Sequence, residues 1–166
     1  MARVLIVGCG CRGGELAARL VADGHSVRGT TRQAAELDRI EAAGAEGVVA
    51  DPDRLATILP QLDGVTAISW LMGGAAGEPE LVAAVHGPRL RSLLEKLVDT
   101  PVRGFVYEGA GRARRGQLEE GAATVREAGE RWRIPVEVVM EDPGDDRKAW
   151  LEAMRGALGS VLTARR

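Results

Sequence analysis

The sequence predicts a doubly wound α/β fold, a three-layer helix–sheet–helix arrangement around a parallel six-stranded sheet in the order 3-2-1-4-5-6. Three observations carry this. Strand-like and helix-like segments alternate from one end of the chain to the other. Val4-Leu5-Ile6-Val7 is a continuous apolar run, the pattern of a strand buried on both faces of a parallel sheet. Directly after it comes Gly8-Cys9-Gly10-Cys11-Arg12-Gly13, a glycine-rich turn that leads into a helix. Right-handed crossovers between parallel strands then leave a crevice at the carboxyl ends of strands 1 and 4.

The first helix reads over Glu15 to Ala22, with Leu16, Arg19 and Leu20 setting its period and Asp23-Gly24 stopping it. His25 to Thr30 is the second strand, and Ala34 to Ala43 the second helix, closed by Gly44. Gly47 to Ala50 follows as a third strand, then a short helix from Arg54 to Leu59 that Pro60 ends. Val65 to Leu71 is the fourth strand, and residues 73–77 form a small-residue loop. A long helical stretch over Glu80 to Val98 is broken or kinked by Pro88, after which Leu90, Leu93, Leu94 and Leu97 share one face. Val102 to Tyr107 makes the fifth strand. A Gly- and Arg-rich loop, a helix near Gln117 to Trp132 and a sixth strand over Pro135 to Met140 follow. The last helix runs from Asp145 to Leu162, with Trp150, Met154, Ala157, Leu158 and Val161 on one side.

At 166 residues and 17.6 kDa, one domain spanning 1–166 is expected. Hydrophobic residues at 45% and charged residues at 28% exclude the disordered and fibrous classes. The apolar runs fall well short of the roughly 20 residues a membrane span needs, and no signal peptide follows Met1. A net charge of -2 without a long basic block argues against nucleic acid as partner. Cys9 and Cys11 are too close for an unstrained bridge, so the expected location is the reducing cytoplasm. Two distant histidines, His25 and His86, give no metal-ligand spacing, and no metal is expected.

The glycine turn matches G-x-G-x-x-G in the context that gives the pattern meaning, after a strand and before a helix. Gly8 permits the tight turn, Gly10 lets the backbone approach a pyrophosphate, and Gly13 lets helix and strand pack closely. The N–H groups of Cys11, Arg12 and Gly13 at the helix start would face the anion. This is the phosphate fingerprint of a Rossmann fold. The glycine loop of S-adenosylmethionine methyltransferases is the competing reading, but its flanking acidic residues are missing, with Ile6 at the first place and Thr30-Thr31-Arg32 at the second. The same segment points to the nucleotide. NAD sites place Asp or Glu near this position, whereas Arg32 would pair with a 2′-phosphate, with Thr31 adding a hydroxyl and Arg12 a second cation. NADP(H) is the expected cofactor and NAD the second choice.

Val4 to Arg32, including Gly24-His25 and Thr30-Thr31-Arg32, resembles the atypical and extended short-chain dehydrogenase/reductases, among them NmrA-like and NAD-dependent epimerase/dehydratase relatives. The likeness is strongest over residues 3–70, and Val138 to Asp145 is similar to the family's sixth strand and Pro-Gly turn. The resemblance implies an adenine contact from Asp51 and a nicotinamide-ribose wall from the loop after strand 4, where Leu71 lies. It fails at the chemistry. The family's Tyr-x-x-x-Lys pair is absent, since the one tyrosine, Tyr107, is followed four residues on by Gly111. Glu108 to Gly111 also lack the family's serine. Tyr107 and Glu108 are the remaining catalytic candidates, placed by strand 5 near the crevice. Two function classes follow: an oxidoreductase-like NADP(H)-binding protein with altered chemistry, and a non-catalytic dinucleotide sensor or interaction module. A small molecule or a protein is the further partner, and homodimerisation stays open.

Overall fold

The computed structural model describes residues 1–165. Six strands form one parallel sheet in the order β3-β2-β1-β4-β5-β6. They are β1 (Arg3–Val7), β2 (Ser26–Thr31), β3 (Glu46–Val49), β4 (Ala67–Trp70), β5 (Gly104–Glu108) and β6 (Val136–Val139). The helices are α1 (Cys11–Ala22), α2 (Leu37–Ala42), α3 (Leu55–Ile58), α4 (Pro79–His86), α5 (Pro88–Leu97), α6 (Arg115–Trp132) and α7 (Arg147–Thr163). The expected doubly wound α/β class and strand order hold.

Alternation along the central strand divides the core. Leu5 and Val7 face one layer, with α3, α4, α5 and α6, through Ile58, Val85, the four leucines of α5 and Val125. Val4 and Ile6 face the other, with α1, α2 and α7, through Leu16, Leu20, Ile40, Trp150, Met154 and Leu158. α7 also docks on α1 at its edge, where Arg155 forms a fork on Asp23 and Arg147 reaches Glu15. Asp146 caps α7 by accepting from the Ala149 N–H at 3.0 Å.

Two local departures have physical causes. The stretch expected as one long helix is two helices, because the Pro88 ring excludes helical backbone at Gly87, which sits at φ -128° and ψ -106°. The first helix begins at Cys11, four residues ahead of the expected start, with Gly10 as its N-cap. The helix therefore grows directly out of the glycine turn. Among the described residues, no helix is long and apolar enough to cross a membrane.

Candidate functional site

The glycine turn is fastened from β2. The Gly8 N–H donates to Thr30 Oγ1 at 3.1 Å, and the Cys9 N–H donates to the Thr30 carbonyl at 2.8 Å. Gly8 has φ +85°, and a Cβ there would lie 2.7 Å from the Leu71 carbonyl oxygen, so this position needs glycine twice over. Cys9 points inward onto β2, where a Cβ on Gly29 would be 2.7 Å from its sulfur. Burial pushes the Cys9 thiol up to about 11, with Arg39 acting against the shift, and makes it inert packing. Gly13 stacks helix on turn, its would-be Cβ 3.3 Å from both Cys9 Sγ and the Gly8 oxygen. Gly10 is different: nothing lies within 4 Å of a Cβ built on it. The open side of the turn is therefore at Gly10, where the first-turn N–H groups of α1 have no intrahelical acceptor.

Gly10 faces a crevice between the carboxyl ends of β1, β2 and β4, about 820 Å³ including the solvent at its mouth. Of the residues singled out in the sequence, Gly8, Gly10, Arg12, Thr31, Arg32 and Leu71 line it. Cys11 is exposed at the rim rather than in the wall. Asp51 lies in an adjoining hollow that shares Arg32 and Pro52 with the crevice, and its Oδ1 accepts from the Asp53 N–H at 2.9 Å. Thr31 Oγ1 accepts from the Gln33 N–H at 3.2 Å and so shapes the turn as well as the wall. Arg32 makes no hydrogen bond or ion pair among the described residues. Arg39, from α2, also lines the crevice, with Glu36 at 2.6 Å and Cys11 Sγ at 3.0 Å. Arg39 was not singled out in the sequence; the signal that could have found it is a basic residue on the helix that follows Arg32.

The β5 side is built the other way. Tyr107 and Glu108 are both wholly buried and neither lines the crevice. The Tyr107 hydroxyl meets His86 Nδ1 at 2.6 Å, while His86 Nε2 lies 2.8 Å from the Met72 carbonyl. One neutral tautomer satisfies both contacts, Nε2–H donating to Met72 and Nδ1 accepting from the phenol. Burial lowers the His86 pKa, partly offset by the Met72 bond, and burial raises that of Tyr107, with Glu108 adding to the rise. A Cβ on Gly121 would land on the Tyr107 hydroxyl, so this α6 glycine makes the room the phenol occupies.

Glu108 accepts four hydrogen bonds. Arg12 supplies two, Nη2 to Oε1 at 2.6 Å and Nε to Oε2 at 2.9 Å. The Gly73 N–H and the Trp150 indole N–H supply the others, each at 2.9 Å. Trp150 also lies alongside Arg12, whose guanidinium carbon is 6.0 Å from the indole ring centre. Burial alone would lower the Arg12 pKa, but the paired carboxylate outweighs it and holds the group above its ordinary value. The cation expected to serve the nucleotide is thus clamped on one edge across 96 residues of sequence. Among the described residues, no group of three His, Cys, Asp or Glu side chains comes together to hold a metal ion.

The fold is shared with solved structures. A short-chain dehydrogenase/reductase superfamily protein from Agrobacterium tumefaciens, with bound NAD, superposes with a TM-score of 0.67 at 20% identity, covering 82% of this chain and 48% of its own. UDP-glucose 4-epimerase from Thermotoga maritima, with UDP-glucose, gives 0.68 at 12% identity over 82% of this chain and 54% of its own. BdcA from E. coli gives 0.74 at 16% identity and covers 96% of this chain and 90% of its own. The chain thus spans about half the length of the first two. At these identities the likeness is one of fold. No family model matches the sequence, and no curated protein matches it.

Proposed function

We propose that this chain is an NADP(H)-binding protein. The observation that carries the reading is Arg32, unpaired in the crevice wall beside the open face of Gly10. The first-turn N–H groups at Cys11, Arg12 and Gly13 suit a pyrophosphate, Arg32 and Thr31 suit a 2′-phosphate, and Arg39 adds charge from α2. Leu71 would flank the second ribose, and Asp51 would face the adenine. When bound, the nicotinamide supplies hydride-transfer chemistry; what these residues contribute is binding and orientation. A charge-assisted bond is worth about 1.5–3 kcal/mol, or roughly 10- to 100-fold in affinity. Calorimetry is expected to show NADPH preferred over NADH by that factor, and Arg32→Ala to remove most of it. Equal affinities in the unmodified protein would refute the assignment.

The burial of Tyr107 and Glu108 favours a second reading for the chemistry, a dinucleotide-binding module that supplies no proton of its own. General acid catalysis typically contributes about 10²- to 10⁴-fold. A panel of simple ketones and aldehydes at saturating NADPH is therefore expected to turn over little or not at all. Robust turnover abolished by Tyr107→Phe or Glu108→Gln would restore the enzyme reading.

A further inference from the structure

Arg12 has one guanidinium edge committed and one free. Glu108 takes Nε and Nη2, and Nη2 also lies 3.4 Å from the Leu71 carbonyl. Nη1 has no hydrogen bond among the described residues. A Cβ on Gly74 would sit 3.1 Å from Nη1, so the absence of a side chain at Gly74 leaves that edge uncovered. The free edge lies where two hollows join. One is the nucleotide crevice. The other, about 580 Å³ with its open mouth, lies over the carboxyl ends of β5 and β6 and shares Arg12 and Gly74 with the first.

The second hollow has a cationic wall. Arg112 lines it with no ion pair among the described residues, and Arg147 stands at its edge, paired with Glu15. The carboxylate it contains, Asp142, accepts from the Gly144 N–H through Oδ1 at 2.8 Å, and its charge also acts on Arg12, so an anion bound here competes with it for the guanidinium. A buried ion pair seldom stabilises a fold more than an apolar pair of equal volume would. What the Arg12–Glu108 fork adds is orientation: a rigid, planar guanidinium presents two aligned donors only when its plane is held.

We propose that the second hollow binds the anionic group of a small molecule, a carboxylate or a phosphate, between Nη1 of Arg12 and the guanidinium of Arg112. Glu108 is the positioning residue that holds Arg12 for it. The proposal rests on the nucleotide reading only in that the two hollows share Arg12, so each has its own test.

The test is amide chemical-shift mapping on the isotope-labelled full chain without nucleotide, titrated separately with inorganic phosphate and with malonate. Saturable shifts are expected at Gly74, Gly111, Arg112 and Gly144, weakened about tenfold or more in Arg112→Gln. A response to phosphate alone names a phosphate ligand, to malonate alone a carboxylate, and to both the shared anion chemistry. Shifts confined to Gly10 through Gly13, or unchanged affinity in Arg112→Gln, overturn the site. The positioning role is read from the Arg12 Nε–H resonance, expected to be sharp in the unmodified protein. Glu108→Gln should broaden it and weaken the anion together. A sharp Arg12 signal with unchanged anion affinity in that variant overturns the role. Equal NADPH and NADH affinities alongside anion shifts at Arg112 would sink the nucleotide reading and leave this one standing.

Discussion

At the carboxyl end of β2, Thr30 holds the glycine turn from behind, and the charged residue that follows, Arg32, stands free in the crevice. At the carboxyl end of β5, Tyr107 and Glu108 occupy the equivalent topological position and both turn inward, onto His86 and onto Arg12, Gly73 and Trp150. One half of the sheet leaves a charged donor open to the crevice, and the other half uses its polar groups to tie elements together. Glu108 alone joins β5 to α1, to the loop after β4 and to α7. The difference teaches that polar residues at the carboxyl ends of two strands of one sheet can serve opposite purposes, one open to the crevice and the other structural.

The comparison breaks most visibly at Glu108. Glu108→Ala leaves a half-buried guanidinium, a buried indole N–H and a buried backbone N–H without their acceptor, and is expected to cost about 3–5 kcal/mol in urea unfolding. A loss below about 1 kcal/mol would mean that the fork is not structural. Gly121→Ala comes next. Its methyl would displace the Tyr107 hydroxyl from His86, and overpacking of this kind costs about 1–3 kcal/mol. Pairing it with Tyr107→Phe, which removes the hydroxyl, should restore part of the loss in a double-mutant cycle.

A smaller effect is a slope. His86 is neutral in the fold with its pKa depressed by burial, whereas the unfolded chain takes up a proton near the ordinary value of about 6.5. The unfolded state then binds more protons, so stability is expected to fall as pH drops below that value and on toward the depressed one. Unfolding midpoints measured across this range should lose that part of the slope in His86→Gln; an unchanged slope would assign it to other groups. The least effect on stability is expected on the outward half. Arg32→Ala should stay within about 0.5 kcal/mol of the unmodified protein while removing most of the NADPH preference. Stability lost in step with binding would erase the distinction between the two halves.

Local pattern made most of the architecture readable. The β1 run, the Gly24 and Gly44 stops and the leucine face of α5 each report on neighbours within a few residues. The helix starts at Cys11 rather than Glu15 because the poor helix formers Cys11, Gly13 and Gly14 are carried into it by the glycine turn, which Thr30 fastens. Of the residues that line the crevice, Gly8, Gly10, Arg12 and Arg32 were legible in the sequence, the first three because the glycine turn is contiguous. The pairing of Arg12 with Glu108, 96 residues away, was not legible, because charge pairing across the sheet leaves no mark in local spacing. Tyr107 and Glu108 look alike in sequence, polar residues at a strand end, and only the positions of His86, Gly121 and Trp150 show that both face in.

Trp150 has an optical consequence. Its indole donates to Glu108 and lies beside the Arg12 guanidinium, wholly sheltered from water. Indole emission shifts with the charge next to the ring, so a ligand that draws on Arg12 is expected to change the colour of the light from Trp150. Reduced nicotinamide also absorbs where indole emits and would take up that light by energy transfer. An anion lodged near Arg112 would therefore move the emission without dimming it, whereas NADPH would dim it and glow in its place. Trp150 thus lies against Arg12, the residue the two hollows share, and each occupant would leave a different spectrum.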